Sequence, residues 1–301
     1  MKGKSASLIG AVIFTVLLVF SCLLLWFGLN HVDDEEDYLD PEYPVLTAAD
    51  EVTTKQYPIE KCDSVRFFPN DVGDKRILFA GAIPSVKVVN SDAYYVELTA
   101  NQTVQDAIVI TVEDGVLVVD IHETCYASVY PDDVSYDYDK GLCLESTAFE
   151  LTIYAPVSSF TANAKLSLDM EMASTDRADL RFSYDGVTAS IRGIEANSLY
   201  LEAAGTSNLT LSGQVRGDAD IRLWHNVHVD ARSLKMGNLN ARVSSRLFAL
   251  SRIRYQSGWY INLLDIGTLT SLLLGALLAA IPLSLLTMDI RCLYRLFKRS
   301  A

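Results

Sequence analysis

The sequence predicts an all-β extracytoplasmic body, a parallel β-solenoid, with one transmembrane helix at each end. Three observations carry this. Residues 8–29 and residues 266–288 contain no charged side chain. The region between them alternates apolar and polar residues at period two. Its second half repeats at intervals of about twenty residues and shows no helical periodicity.

The first charge-free run, "LIGAVIFTVLLVFSCLLLWFGL", is 22 residues long, and the second, "IGTLTSLLLGALLAAIPLSLLTM", is 23. At ~1.5 Å per residue a helix of either length reaches across a ~30 Å hydrocarbon core. A backbone in lipid must satisfy its own hydrogen bonds, so both runs are read as helices, the second kinked at Pro282. A cleaved signal peptide fits the first run less well, because its apolar stretch is too long and no small-x-small site follows. "VFSC" resembles a lipoprotein box, yet "LLLWFGL" continues past Cys22. Lys2 and Lys4 precede the first run; Arg291, Arg295, Lys298 and Arg299 follow the second. The distribution of basic residues predicts a two-pass cell-membrane protein with both termini cytoplasmic and residues 31–262 outside. Trp26, Trp259 and Tyr260 then fall at the outer interface, with Arg252 and Arg254 beside it. The partition is a cytoplasmic N-terminus and span (1–30), an acidic linker (31–51), an N-terminal β region (52–155) with an insertion at 126–142, solenoid repeats (156–258), interface and second span (259–288), and a basic tail (289–301).

Residues 33–51 are acidic, proline-containing and aperiodic, as a linker is. Alternation begins near Val52. "DSVRFF", "PSVKVVNS", "AYYVELTA", "AIVITVEDGVLVVDIHE" and "TAFELTIYAP" read as strands, and Asp114-Gly115 as a hairpin turn. After Pro156 the segments "SFTANAKLSLDMEM", "DLRFSYDGVTASIRG", "SLYLEAAGTSNLTLSG", "DIRLWHNVHVDARSL" and "NLNARVSSRLFALSR" align on Phe160, Leu180, Leu199, Ile221 and Leu239. Each holds two short strands around a small or polar corner. A single coil cannot bury its inner face, so stacked coils sharing one core are expected. A β-sandwich is the competing architecture, and the regular spacing favours the solenoid.

The strand pattern ending in "EDGVLVVDI", then "FELTIYAP", then repeats such as "LYLEAAGTSNLTLSG", resembles bacterial adhesin-like domains of unknown function. The head-domain family of autotransporter adhesins is among them. The resemblance covers about Val52 to Gly258. It implies a β-helix-like fold in a bacterial envelope protein and carries over no catalytic residue. A helix at each end and the long insertion at 126–142 depart from the family pattern.

Between residues 33 and 262 there are 36 acidic and 19 basic side chains, whereas Ala231–Asn262 holds six basic side chains and no acid. An outer region this acidic argues against nucleic acid as a partner. Its basic end could meet lipid headgroups or envelope polymer, or could simply be a solvated surface. Of Cys62, Cys125 and Cys143, the pair flanking the insertion, Cys125 and Cys143, is the preferred disulfide. The insertion's Tyr130, Asp132, Asp133, Tyr136 and Tyr138 form a candidate partner contact, with calcium as the other reading of its carboxylates. Asp169 with Glu171, and Asp218 with Asp220, share strand faces but lack the surroundings of an acid–base pair. His225, His228 and Asp230 are the candidate metal ligands. On a straight strand the two histidines face opposite sides, so only a bend at His225-Asn226 would let them share zinc. The expectation is a non-enzymatic envelope interaction or sensing module without cofactors. Its partners would be the bilayer and an envelope polymer or protein. Self-assembly into a structural layer is the alternative, and a carbohydrate-active enzyme ranks below both.

Overall fold

The computed structural model describes residues 9, 11–22, 45–69, 75–128, 140–245, 250–262 and 266–298. They fall into a helical unit and a larger unit of β-strands. The described α-helices are α1 (residues 11–22), α2 (Gln102–Ala107) and α3 (Ile266–Lys298).

The helical unit contains α1 and α3. Thr15 Oγ1 donates a 2.6 Å hydrogen bond to Asp289 Oδ2, and Asp289 is buried. Among the described residues no helix is long and apolar enough to cross a membrane. The predicted two-pass arrangement is corrected accordingly, and with it the localisation and the outer interface. α3 runs on without a break through Ser284, Thr287, Asp289 and Arg291. Asp289, expected in a cytoplasmic tail, is instead a buried contact between helices.

The strands begin with β1 (Val45–Thr47), β2 (Val52–Pro58), β3 (Ser64–Phe67), β4 (Lys75–Gly81), β5 (Ser85–Val89) and β6 (Tyr95–Asn101). After α2 come β7 (Ile108–Glu113), β8 (Val116–Ile121), β9 (Ala127–Ser128), β10 (Lys140–Ser146), β11 (Phe149–Tyr154), β12 (Ser159–Ala162) and β13 (Ser167–Glu171). The last six are β14 (Thr175–Phe182), β15 (Thr188–Ala203), β16 (Thr206–Leu223), β17 (Asn226–Val243), β18 (Arg252–Tyr255) and β19 (Gly258–Tyr260).

β1, β10, β4 and β9 form a four-stranded sheet, and the other fifteen strands form a second sheet. Strand directions in the second sheet are mixed. β2 with β6, β6 with β11, β7 with β8, and β18 with β19 are antiparallel. β15 pairs β13 through its first residues and β14 through its last. The path of the sheet therefore turns back on itself, giving a nearly closed, barrel-like arrangement. This overturns the parallel solenoid expected from the repeats. Period-two alternation is the same for a strand with parallel or antiparallel neighbours, so the pattern carries no direction.

Inside the larger sheet the parallel register runs Phe160 to Leu180, Leu180 to Leu201, Leu201 to Ile221, and Ile221 to Ala241. The sequence alignment had used Leu199 and Leu239, two residues early. A two-residue slip keeps the same face inward, which is why the burial pattern survives it. Phe160, Leu180, Leu201 and Ile221 are all fully buried. A second aromatic group joins Phe149 to Phe67, Phe68 and Phe79 at centroid separations of 6.4, 6.3 and 6.2 Å.

Two local features show how side chains set the backbone. Asp114 (φ 50°) and Gly115 (φ 78°) close the hairpin between β7 and β8. α2 interrupts a region expected to be strand and loop only. Its Gln105 is buried, and the side-chain amide donates to the Thr53 carbonyl at 2.6 Å and to the Ala100 carbonyl at 3.2 Å. Those bonds tie one short helical turn to β2 and β6, and six residues are too few to show helical periodicity.

Candidate functional site

The strongest candidate site lies where β16, β17, β18 and β19 meet. Register places Asn208, His228 and Arg252 in one row, and Thr210, Asp230 and Arg254 in the next but one. Between these rows Leu209, Val229 and Ile253 are buried. Side chains alternate across a strand, so both polar rows face out together. β19 returns antiparallel and sets Trp259 directly opposite Arg254.

Trp259 is 51% exposed. The guanidinium carbons of Arg252 and Arg254 lie 5.3 and 5.1 Å from its ring centroid. Each contact is worth ~0.5–1 kcal/mol at an exposed site, enough to orient two long side chains but not to immobilise them. Together these residues line a hollow of about 230 Å³, with Asn208, Thr210, His228 and Asp230 as its polar floor.

Charge in the hollow is uneven. Asp230 is held by Arg232, whose Nε lies 2.9 Å from Oδ1 and whose Nη2 lies 2.5 Å from Oδ2. That hydrogen bonding holds the Asp230 carboxyl down to about 2, so it is ionised across the physiological range. Burial, and then the Arg252 charge, push the His228 imidazole below its ordinary value. His228 is therefore neutral near pH 7, and Arg252 and Arg254 are cations facing the indole.

A buried serine attaches β18 to the sheet. Ser251 Oγ accepts from Val227 N–H at 3.0 Å and donates to the His225 carbonyl at 2.7 Å. Ser251 N–H donates to Ser245 Oγ at 3.1 Å. Ser251→Ala should cost about 1–3 kcal/mol of stability, because it removes the buried hydroxyl acceptor of the Val227 N–H in β17. Urea unfolding of the variant measures this; a loss below about 0.5 kcal/mol would mean that water replaces the hydroxyl.

The region preceding β18 carries the family identity. A family profile described as "Putative auto-transporter adhesin, head GIN domain" matches residues 80–248. The chain belongs to this family. The adhesin head domain match includes Asn208, Thr210, His228 and Asp230 and stops before Arg252, Arg254 and Trp259. The floor of the hollow thus lies in the family region, and the clamp above it comes from the segment that follows.

Solved structures described as putative adhesins are similar to this chain. A putative adhesin from Parabacteroides distasonis is 15% identical over 69% of this chain and 84% of its own, with a TM-score of 0.44. One from Bacteroides fragilis is 14% identical over 69% and 81%, with a TM-score of 0.49. One from Parabacteroides merdae is 13% identical over 70% and 84%, with a TM-score of 0.44. No curated protein matches the chain in sequence.

The other sequence candidates are placed as follows. His225 occupies the turn before β17 at φ 75°, and its neighbour Asn226 donates N–H to the Gly205 carbonyl at 3.0 Å. His228 and Asp230 lie on the outward face of β17. Among the described residues no three histidine, cysteine or acidic side chains gather as metal ligands would. Tyr260, expected at a lipid interface, packs on the core, and its hydroxyl donates to the Ala241 carbonyl at 2.9 Å. Trp26 and the insertion residues Tyr130, Asp132, Asp133, Tyr136 and Tyr138 lie outside the described residues.

Cys125 and Cys143 are both free thiols here, as is buried Cys62. Val45 of β1 takes the ladder position beside Cys143, and Cys125 ends a 3₁₀ turn, Glu123–Cys125. Burial pushes the Cys62 thiol up to about 11, with the Asp63 charge adding to it.

The paired carboxylates are already committed. Asp169 binds the Arg192 guanidinium at 2.8 Å. Asp218 accepts from Asn238 at 3.0 Å, and Asp220 pairs with Arg222 at 3.2 Å. Asn208 and Thr210 were missed from sequence because an isolated polar residue on a strand has no signature. Their significance comes from standing one strand away from His228 and Asp230.

Proposed function

We propose that the chain is a non-enzymatic attachment module that binds an acidic polysaccharide of a cell surface through the β16–β19 hollow. The observation that carries this reading is the half-exposed Trp259 ring held beside two guanidinium groups over an amide and hydroxyl floor. An indole face suits the C–H face of a sugar ring, since an aromatic ring offers a large apolar area. Arginine supplies the paired donors that a carboxylate accepts. Asn208 and Thr210 are uncharged donors and acceptors for ring hydroxyls. The family description, an adhesin head domain, supports attachment over turnover and a partner outside the cell. An envelope polymer is the partner class that best fits the hollow.

Binding of the full chain to an array of neutral and acidic oligosaccharides tests this reading. Acidic members should bind more tightly, and binding should weaken with salt. If no acidic glycan binds, or if neutral glycans bind equally, the reading fails.

His228 adds a pH dependence. It faces Arg252 on β18 and lies in the same hollow as Asp230 and Arg254. Its depressed pKa leaves it neutral near pH 7, and it gains a charge only as pH falls below the ordinary histidine range of about 6.5. Affinity for an anionic glycan should therefore rise between about pH 6.5 and the pH at which the glycan's own carboxylate protonates. His228→Gln should flatten the rise. An identical pH profile in that variant would remove histidine from the mechanism.

A further inference from the structure

The C-terminal halves of β14, β15, β16 and β17, together with β3 and β12, carry a second polar face with a different composition. One register row reads Arg66, Thr161, Arg181, Glu202, Arg222, Arg242 across β3, β12, β14, β15, β16 and β17. Beside it runs Ser64, Ser159, Asp179, Tyr200, Asp220, Asn240. Four arginines in one row is notable in a chain of formal charge −13.

Tyr200 organises the centre of this face. The guanidinium carbons of Arg177, Arg181 and Arg222 lie 5.8, 5.0 and 5.2 Å from its ring centroid. Asp179 holds Arg181 through bonds of 2.8 and 3.1 Å, and Asp220 holds Arg222 at 3.2 Å. The inner arginines are thus pre-oriented by stacking and by one acid each. The outer two, Arg66 and Arg242, are exposed and make no ion pair among the described residues. Between Arg66 and Arg181 lies a hollow of about 370 Å³ whose other polar lining is Ser64, Ser159, Thr161 and Asp179.

We propose that this face is a second binding surface, taking a polysaccharide that carries sulfate or phosphate esters. The argument is geometric. Neighbouring strands lie about 4.8 Å apart, so Arg66 and Arg181, two strands apart, stand roughly 10 Å from each other at the backbone. Planar guanidinium groups present paired donors that match tetrahedral oxyanions, and serine and threonine hydroxyls between them complete the donor set. Pre-oriented arginines lose less conformational freedom on binding than free ones. A polymer with repeated ester groups could engage the Arg66–Arg181 hollow and the Arg222–Arg242 end together. The carboxylates along the row favour a ligand of spaced anions over one of continuous charge. This face shares no residue with the Trp259 hollow.

The test uses the full chain and three probes: heparin as a sulfated glycan, a phosphorylated mannan, and polygalacturonate as the carboxylate-only control. Heparin, the mannan or both should bind, and which of them binds identifies the ester. Arg66→Ala and Arg242→Ala, both exposed and harmless to the fold, should each weaken that binding at least tenfold, whereas Trp259→Ala should leave it unchanged. The proposal is overturned if neither ester-bearing probe binds. It is also overturned if polygalacturonate binds the Trp259→Ala variant as well as the ester-bearing probes do, or if Trp259→Ala abolishes ester binding while Arg66→Ala and Arg242→Ala do not. Loss of acidic-glycan binding at the Trp259 hollow with ester binding intact would sink the first reading and spare this one.

Discussion

Trp259→Ala should lower affinity for an acidic oligosaccharide by about thirtyfold, equivalent to ~2 kcal/mol. Among the described residues lining the hollow, Trp259 is the only Trp, Tyr or Phe, so its removal takes away the broad stacking platform. It also releases Arg252 and Arg254, which lie 5.3 and 5.1 Å from the ring. Both would then have to be ordered at the moment of binding, at about 0.5–1.5 kcal/mol per side chain. The fold should tolerate the change, because a ring that is 51% exposed contributes little core burial. Calorimetric titration gives the affinity, and a thermal melt checks the fold. Trp259→Phe should recover part of the loss. Unchanged affinity in Trp259→Ala would place binding elsewhere on the molecule.

Gly213→Ala is expected to produce the largest loss of stability from a single methyl group, about 3 kcal/mol or more. Gly213 has φ 129°, which L-residues rarely adopt. A Cβ there would approach the Ile194 backbone nitrogen at 2.5 Å and its carbonyl carbon at 2.8 Å. Neither atom can retreat, because Ile194 is the register partner of Gly213 in the next strand, beside a break in the ladder. Gly115→Ala is the control. Gly115 also has a positive φ, but nothing lies within 4 Å of its would-be Cβ. That variant should lose only about 1 kcal/mol, the conformational term alone. Denaturant midpoints of the two variants measure the difference. Equal losses would show that β16 and β15 can separate at this point.

Much of the local architecture was legible in the sequence. Val65, Phe67, Phe160, Leu180, Ile221, Val227 and Val229 were all readable as inward by alternation, and all are buried. The Asp114-Gly115 turn was readable because few residues other than glycine and asparagine or aspartate accept positive φ. His225 stood out less as a possible ligand than as the residue at a corner, where it takes φ 75°. Partner choice was not legible. β6 and β11 alternate as cleanly as the later strands, yet they pair antiparallel with each other. The ends were misread for a related reason. Apolar runs of that length read as spans, but burial of Asp289 against Thr15 depends on how two distant segments meet.

The site divides along the same line. Trp259, Arg252, Arg254, His228 and Asp230 were each picked out from the sequence, but for separate roles at a lipid interface and a metal. Sequence by itself determined the β-rich character, the inward residues, the family and the absence of a recognisable catalytic motif, because these depend on composition and on spacing within one segment. Tertiary structure alone decided that β19 turns back to lay Trp259 against Arg254, that Asn208 and Thr210 complete the floor, and that Tyr200 gathers arginines from the strands on either side of it. Those outcomes depend on register between segments twenty or more residues apart, and no local pattern of polar residues encodes which strand will lie beside which.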